Sequence, residues 1–169
     1  AGAVLDLKSG VDSSLIQKGR VGSRTWRADD GTEQHVARLH MTTTSIGSGT
    51  DIALAIGVSQ SLDVQTRAYV NKELPSVGTL ISFVPPTGPG QQAIAGGGHA
   101  AALAEHIANE VRALKVDDPD RTVHIFAACP NSLLFYLGQQ HRGISPCIVY
   151  EFDFDRAGNK SYQPSFVID

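Results

Sequence analysis

One stretch limits how this chain can fold more than any other: TVHIFAACPNSLLFYLGQQHRGISPCIVYEFDF, residues 122–154. Residues 122–128 are an apolar run rich in β-branched and aromatic side chains, which predicts a strand. Residues 147–152 resume the same pattern and predict a second strand. The order is therefore strand, helix, strand, with the helix in the middle piece.

The middle piece carries the start and stop signals of a helix. Pro130 suits the first turn, and Asn131 or Ser132 is suited to cap it. The apolar block LLFYL ends at Gly138, where glycine favours helix termination. The N–H groups of this helix start would lie beyond the carboxyl end of a strand, where α/β proteins bind ligands and above all phosphates.

The length and composition indicate one domain that has no general affinity for polyanions. The 169 residues suffice for one core, or for two small lobes that share one, and the net charge of −3 gives no overall attraction to nucleic acid or an anionic membrane. Cys129 and Cys147 have no CxxC or His-rich companion, so neither a zinc site nor a disulfide is predicted. Without a signal peptide or a run of about 20 apolar residues, a cytoplasmic location is expected. The chain begins AGAVLDL without Met, so we expect it to be cut from a longer polypeptide.

The amino-terminal part combines a strand candidate, residues 3–7, with a long segment of scattered Gly, Ser and charge, residues 8–34. Loops of this length without structure of their own are usually functional or disordered. The single Trp of the chain lies here and favours a function. It belongs to the densest basic and aromatic cluster of the sequence: Lys18, Arg20, Arg24, Trp26 and Arg27.

The patterns of apolar residues predict the remaining strands and helices. Strands are predicted at residues 35–41, 64–70 and 79–84. Asp51 is suited to cap a short helix over residues 51–56, and helical spacing of apolar residues predicts a second helix over residues 99–114. Gly-rich and hydroxyl-rich loops, TTTSIGSGT and PPTGPGQQAIAGGGH, separate these elements.

An internal repeat is suggested by two segments of equal pattern. Residues 51–70 align without a gap on residues 132–151, so that each copy would be an apolar helix, a glycine, a polar turn and a strand with Tyr. Two Rossmann-like lobes related by a pseudo-twofold axis would follow. The alignment has a constant offset of 81 residues, which matches Gly57 with Gly138 and Tyr69 with Tyr150.

The carboxyl-terminal stretch HIFAACPNSLLFYLGQQHRGISPCIVYEFDF resembles the closing motif of SAVED domains. These domains are sensor modules of bacterial anti-phage CBASS effectors and of some CRISPR-linked effectors. AVLDL, Trp26 and DIALAIG are consistent with the same family, so the resemblance covers most of the chain. It implies an α/β fold of two fused CARF-like Rossmann-type units in pseudo-twofold arrangement: residues 1–78, lacking the long helix, and residues 79–169.

The resemblance also implies a function. A SAVED domain binds a cyclic oligonucleotide made by a CD-NTase, and binding drives self-association and switches on an attached effector. The chain is most similar to SAVED domains attached to HNH-type endonucleases, which implies a cyclic dinucleotide such as a cGAMP isomer and no other cofactor. No nuclease motif occurs here, so a catalytic, DNA-binding domain is expected elsewhere in the polypeptide, and neither DNA nor membrane contact is expected of this domain.

Three small-residue loops are the predicted phosphate donors, and we expect them at one edge of the sheet. Small residues let backbone N–H groups at a helix start approach an anion closely. The alternative for each loop is plain chain reversal. The loops supply Thr43 and Thr44, Gly97 and Gly98, and Cys129, Pro130, Asn131 and Ser132.

Lys18, Arg24 and Trp26 are predicted to bind phosphates and a base. Guanidinium and ammonium groups neutralise phosphate, and an indole stacks on a base. The alternative is that Trp26 buries under its own loop with solvated basic neighbours. His99, at the predicted start of the long helix, is a further candidate for a hydrogen bond to the ligand, with a plain surface histidine as the alternative.

The remaining polar candidates are assigned structural roles. Cys129 is expected to pack, since CPNSLLF lacks the arginine of a phosphatase-type loop. His35, His40 and His124 are expected to be satisfied structural histidines rather than ligands. Tyr69 and Tyr150 are expected in the core or at the interface of the two lobes, and only secondarily as base contacts. Asp153 and Asp155 are expected to end an edge strand rather than to bind a metal.

Three functional hypotheses remain. The first is a binding module without catalytic activity. The second is a ring-nuclease-like enzyme that cleaves its cyclic ligand by attack of a ribose hydroxyl, for which His99 and Lys18 are the available helpers. The third is an α/β interaction domain without a small ligand.

Overall fold

A computed structural model describes residues 13–19, 22–34, 38–154 and 161–169. Within these ranges, a two-stranded hairpin precedes a six-stranded sheet with three α-helices and a short 3-10 helix, His141–Gly143. The hairpin consists of β1 (Ser14–Gly19) and β2 (Gly22–Arg27), the sheet of β3 (His40–Ser45), β4 (Asp51–Gly57), β5 (Val77–Val84), β6 (Val123–Ala128), β7 (Cys147–Asp153) and β8 (Ser161–Ile168), and the helices are α1 (Asp63–Glu73), α2 (Gly97–Leu114) and α3 (Asn131–Gln139). The predicted strand 3–7, part of the predicted strand 35–41, and Arg20, His35 and Asp155 lie outside the described residues.

The sheet has the order β3-β5-β4-β6-β7-β8. The four inner strands are parallel, and β3 and β8 pair antiparallel at the two edges. Strand β4 is central and buried on both faces. Ile52, Leu54 and Ile56 pack with α2 and α3, while Ala53 and Ala55 pack on the opposite face, the side of α1.

The chain winds in two directions from the centre of the sheet. Helix α1 leads from β4 outward to β5, and α3 leads from β6 outward to β7, on the opposite face. Right-handed crossovers require this change of face when the direction of winding reverses. The connections after β4 and β6 therefore diverge, and a crevice opens at the carboxyl ends of these two strands.

Several predicted elements are confirmed and two are wrong. Strands β5, β6 and β7 and helices α2 and α3 lie where expected. The segment DIALAIG is strand β4 rather than a helix, and residues 64–70 belong to helix α1 rather than to a strand. Asp51 does not cap a helix; its Oδ1 accepts a hydrogen bond of 3.1 Å from the Thr122 N–H, next to β6.

These two errors overturn the proposed alignment of the two segments. The alignment of residues 51–70 with residues 132–151 places β4 on α3 and α1 on β7, so like elements do not match. Tyr69 lies on α1, whereas Tyr150 lies on β7. The division at residue 78, which falls within β5, stays a prediction.

The expected unstructured segment 8–34 contains a hairpin. Strands β1 and β2 pair antiparallel, with Leu15 opposite Trp26. Strand β8 was also not predicted, and Pro164 lies in its middle. Proline is tolerated at a sheet edge or a bulge, and Pro164 pairs with Tyr150 where the register shifts.

A buried polar chain joins β4, β6 and β7. The Nδ1 atom of His124 lies 2.9 Å from the Tyr150 hydroxyl, and its Nε2 atom lies 3.5 Å from Asp51 Oδ2. A neutral imidazole with its hydrogen on Nε2 satisfies both partners, since Nε2 donates to the carboxylate and Nδ1 accepts from the hydroxyl. Burial lowers the pKa of His124, although the Asp51 carboxylate opposes this shift. The expected structural role of His124 and the core position of Tyr150 are confirmed.

This polar chain predicts a pH dependence of stability. Because unfolding restores the usual histidine pKa near 6.5, the unfolded state binds more protons below that pH, and the free energy of unfolding should fall as the pH is lowered from 7 to about 5. His124→Gln should be less stable at pH 7 by about 1–3 kcal/mol, because the Tyr150 hydroxyl loses its partner, and should show a weaker decline below pH 6.5. Urea unfolding at both pH values measures this. The exposed His40→Gln should keep the wild-type decline, and equal declines in all three proteins would contradict the assignment.

Candidate ligand-binding site

The crevice lies between residues 58–62, after β4, and residues 129–131, after β6. The two connections are joined, because the N–H groups of Val58 and Ser59 donate to the Ala128 carbonyl oxygen at 3.0 and 2.7 Å. One connection leads into α1 and the other into α3, so two helix starts border the crevice. Open α/β sheets bind their ligands at such a point.

A groove of about 790 Å³ extends from this crevice. Gln60, Gln65 and Asn131 line it where α1 and α3 begin, and its walls include Leu137 and Tyr150 from the two faces of the sheet. The volume is within the range of about 300–1,000 Å³ that is usual for small-molecule sites. The groove is large enough for a nucleotide unit.

The twelve predicted site residues, all of them described, lie in three places. Asn131 is the one among them that lines the groove. Lys18, Arg24, Trp26, Gly97, Gly98 and His99 are on the hairpin and at the start of α2; Cys129, Pro130, Asn131 and Ser132 are at the start of α3; Thr43 and Thr44 are on β3.

The prediction that three small-residue loops share one sheet edge is wrong for the first loop. Thr43 and Thr44 are strand residues of β3, opposite Ile81 and Leu80. The loop after them leads into the amino end of β4, where the Asp51 N–H donates to the Ser76 carbonyl oxygen at 3.0 Å. It therefore lies at the edge opposite the crevice. The connections into α2 and α3 follow β5 and β6 and lie at the carboxyl edge.

The start of α2 is already capped by side chains of this chain. The N–H groups of Gly97 and Gly98 donate to Asp30 at 2.6 and 3.0 Å, and the His99 N–H donates to Thr32 Oγ1 at 3.1 Å. Burial alone would raise the pKa of Asp30, but hydrogen bonds from Thr32, Gly98 and Gly97 outweigh it and hold the pKa at about 2. The donors predicted to bind phosphate thus bind a carboxylate; we call this contact the Asp30–Thr32 cap.

Gly97 and Gly98, in the first turn of α2, make room for the end of β2 and the segment that follows it. A Cβ atom on Gly97 would lie 2.2 Å from the backbone oxygen of Arg27, and one on Gly98 would lie 3.0 Å from that of Ala28. Both contacts are with backbone oxygen atoms, which cannot move aside as the end of a flexible side chain could. Close packing of the hairpin against α2 therefore accounts for these glycines without a ligand.

Trp26 is buried, as the alternative interpretation expects. Its side chain is 5% exposed within the core beside α2 and α3. The Arg24 guanidinium lies 4.3 Å from the centre of the indole ring and donates a hydrogen bond to the Ala95 carbonyl oxygen. The indole does not present a free face for stacking in this conformation. Its Nε1 hydrogen has no acceptor among the described residues.

His99 and Lys18 occupy different surroundings. His99 is 4% exposed, and its Nδ1 atom accepts a hydrogen bond of 3.1 Å from the Ala95 N–H, so it is not a surface histidine. Lys18 is exposed on β1, opposite Ser23. The hairpin carries both cations of the predicted site, Lys18 and Arg24.

The start of α3 combines one buried and one exposed polar residue. Burial raises the pKa of the Cys129 thiol to about 12, although the Leu134 backbone N–H opposes this shift, so Cys129 packs as expected. Ser132 is fully buried, and its hydroxyl has no partner within the described part of the chain. Asn131 is exposed and faces the groove.

Other candidate features are structural. Asp153, the last residue of β7, accepts a hydrogen bond of 2.6 Å from Gln163 on β8. Within the described ranges, no group of three or more His, Cys, Asp or Glu residues is placed to hold a metal ion. None of the helices found there has the length and apolar character needed to cross a membrane.

Gln60, Gln65, Asp30 and Thr32 were not predicted from the sequence. Because residues 51–56 were assigned to a helix, no strand end was expected at Gly57 and the polar residues after it were not considered. A continuous apolar run followed by the polar turn VSQS was the available signal. For the cap, the signal was the acidic turn DDGT directly after the aromatic strand.

Trp26→Ala should destabilise the chain strongly, because it leaves a cavity where the hairpin meets the helices. A loss of about 3–5 kcal/mol in the free energy of unfolding is expected. Circular dichroism during urea unfolding is the suitable measurement, since Trp26 is the only Trp and its fluorescence is lost with it. Ile16→Ala, an exposed hairpin residue, is the control and should have little effect. Equal stabilities of the two variants would contradict the burial of Trp26.

Asp30→Ala should weaken the start of α2, at a cost similar to loss of a helix N-cap, about 0.5–2 kcal/mol. In the wild type, the contribution of the Asp30 carboxylate to the free energy of unfolding should be fully present above pH 4. It should be lost as the pH falls from about 4 to about 2, because the pKa of Asp30 is lower in the folded state than in the unfolded state. Chemical unfolding across this range measures both effects. The neighbouring Asp29→Ala removes a surface contact to Arg27 and should cost less. A larger loss for Asp29→Ala would overturn the role of the cap.

Comparisons with known proteins agree on one family. The model of the SAVED family, described as the SMODS-associated and fused to various effectors sensor domain, matches residues 1–168. CD-NTase-associated protein 4 from Enterobacter hormaechei subsp. hoffmannii (strain UCI 50) is 37% identical over 169 residues, which are 99% of this chain and 33% of that protein. The chain therefore spans about a third of the length of this curated relative.

Solved structures share the fold. The Acinetobacter baumannii Cap4 SAVED/CARF-domain containing receptor with 2′3′3′-cAAA superposes with a TM-score of 0.70 at 15% identity, over 98% of this chain and 33% of that chain. Its complex with 3′3′3′-cAAA gives 0.68 at 16% identity, over 98% and 34%. The Moraxella osloensis Cap4 receptor gives 0.54 at 15% identity, over 99% and 33%. These likenesses confirm the CARF-like α/β fold class, and with the match over residues 1–168 they show that the chain belongs to the SAVED family of sensor domains.

Proposed function

We propose that this chain is the sensor domain of a CBASS effector and binds a cyclic oligonucleotide made by a CD-NTase. Membership in a family of sensor domains carries the proposal. Two observations support it: Acinetobacter baumannii receptors of the same fold hold cyclic trinucleotides, and the crevice of this chain opens into a groove of about 790 Å³.

Two ligand sizes are supported by different observations. The resemblance to SAVED domains attached to HNH-type endonucleases favours a cyclic dinucleotide such as a cGAMP isomer. The ligand-bound neighbours hold cyclic trinucleotides. For either ligand we assign the phosphates to the cations of the hairpin, Lys18 and Arg24, because Leu15 on the same hairpin lines the groove.

We further propose that ligand binding promotes self-association and activates a DNA endonuclease domain that is not part of these residues, in the bacterial cytoplasm. The family description, a sensor fused to various effectors, supports an attached effector. This domain itself is proposed to contact neither DNA nor a membrane.

Thermal unfolding of the full chain with a panel of cyclic di- and trinucleotides tests the proposed ligand class. At a concentration 100-fold above Kd, a ligand should raise the free energy of unfolding by about 2.7 kcal/mol. Linear oligonucleotides of the same bases are the matched control and should give a smaller shift. The absence of a shift with every cyclic ligand would favour an interaction domain without a small ligand.

The domain is proposed to bind its ligand without cleaving it. The two helpers considered for cleavage differ in access, since His99 is 4% exposed with its Nδ1 atom bound to the Ala95 N–H, whereas Lys18 is exposed. Chromatography of the same ligand mixtures after long incubation should return intact cyclic nucleotide. A linear product would support the ring-nuclease alternative instead.

A further inference from the structure

Strand β8 is one edge of the six-stranded sheet, and its last residues expose apolar side chains. Among the residues that the structure describes, no strand pairs with the outer side of β8. Phe166 and Val167 are adjacent in this strand and are 61% and 68% exposed. Because successive residues of a strand point to opposite faces, the edge is apolar on both faces of the sheet. An apolar edge of this kind is a surface to which another strand can pair.

The other edge strand, β3, is polar. Its exposed side chains are those of His, Thr and Ser residues, and its Met41 packs against the core. Strand β8, SYQPSFVI, also carries none of the charged residues that usually protect an edge against pairing. Pro164 interrupts β8 in its middle, because proline has no N–H group to donate to a neighbouring strand. The residues from Ser165 onward remain open to pairing.

The pairing of β8 with β7 shows to which face each side chain points. Ile168 lies opposite Cys147, which packs with α2 and α3. Val167 lies opposite Ile148, which packs on the α1 side. Phe166 shares the face of Ile168, since residues two apart in a strand point the same way. A strand that extends the sheet at this edge must therefore offer apolar side chains to both faces in alternation.

A second copy of β8 meets this requirement. Two copies can run antiparallel about a twofold axis that passes between their Val167 residues. Each Phe166 then lies opposite Ile168 of the second copy, on one face, while the two Val167 side chains meet on the other face. Residues 165–169 form this ladder, which leaves Pro164 outside it. The end of β8 is therefore complementary to itself, as a twofold interface requires.

We propose that this chain forms a twofold symmetric dimer in which the β8 strands of two copies pair and join the two sheets. One strand end from each copy buries less than the roughly 1,200 Å² of a standard interface, so the dimer should be weak by itself. Ile168 lines the groove, and pairing would place Phe166 of the second copy beside it. Since the second copy then adds to the groove wall, a ligand bound there should strengthen the dimer. This coupling deepens the proposed self-association and rests on the proposed function.

Disulfide crosslinking of the full chain tests the position of the axis. Val167→Cys should form a covalent dimer with glutathione disulfide as the oxidant, because opposite residues of paired strands have Cβ atoms about 4.5–5.5 Å apart, close to disulfide range. Phe166→Cys should crosslink to Ile168→Cys in a mixture of the two variants, and less to itself. Val64→Cys, which is 82% exposed on α1, is the control for random collision. Wild-type protein measures the background from the native cysteines.

Sedimentation velocity over a range of concentrations tests the strength of the dimer. Val167→Lys places like charges opposite each other at the axis and should raise the dimer dissociation constant about tenfold. Val64→Lys adds the same charge away from the edge and should leave this constant unchanged. Both series are repeated with 3′3′3′-cAAA and with 3′3′-cGAMP, and the nucleotide that binds should increase the dimer fraction. Thermal unfolding without nucleotide should be similar in all variants.

Two results would overturn the inference. One is equal crosslinking of Val167→Cys and Val64→Cys. The other is self-association that Val167→Lys leaves unchanged, or no self-association at all. Nucleotide binding in thermal unfolding would still support the proposed function in either case. A bound nucleotide that leaves the dimer fraction unchanged contradicts the coupling through the groove. If neither nucleotide binds, nor any other cyclic oligonucleotide, the proposed function fails, whereas specific crosslinking of Val167→Cys without ligand still supports the pairing of β8.

Discussion

The burial of β4 on both faces is the constraint on which the rest of the structure depends. A strand covered on both sides must be apolar throughout, and DIALAIG supplies alternating large and small residues, with Ile and Leu toward α2 and α3 and Ala toward α1. The two layers are therefore unequal, and the smaller Ala53 and Ala55 leave space for the aromatic cluster of Phe126, Tyr150 and Tyr162. Because winding reverses beside this strand, the same constraint positions the crevice.

The sequence predicts the second half of the fold well and the first half poorly, for a physical reason. Strands β6 and β7 combine β-branched with aromatic residues, and α3 has Pro130 before it. Strand β4 instead contains Ala and Leu, which are good helix formers, and a short apolar run has no periodicity that separates a buried strand from a helix. Burial in the tertiary structure decides whether such a segment forms a strand or a helix. In α1, the alternation of VQTRAYV resembles a half-buried strand, yet only Thr66 and Val70 are buried.

The candidate site was predicted in part. The start of α3 and the cations of the hairpin follow from residue types, but the burial of Trp26 and the occupation of the α2 start by Asp30 depend on contacts between residues about 70 positions apart. No local pattern specifies such contacts. Predicting a role for Gln60 and Gln65 required recognising the end of β4. Because residues 51–56 were assigned to a helix, these two residues were not considered. Errors in the central strand thus carry over directly to the site.

The glycines that begin α2 have a consequence for how this protein can change by mutation. Backbone atoms at the end of β2 and in the segment after it lie so close to Gly97 and Gly98 that a side chain on either would require this segment to move away. Substitutions that alter the contact between hairpin and helix without breaking it are therefore confined to the hairpin side. Arg24, Asp30 and Thr32 make this contact through exposed or half-buried side chains, so a change there alters the contact without a backbone clash. The hairpin is thus the adjustable partner, and α2 is the fixed surface against which new hairpin sequences would be selected.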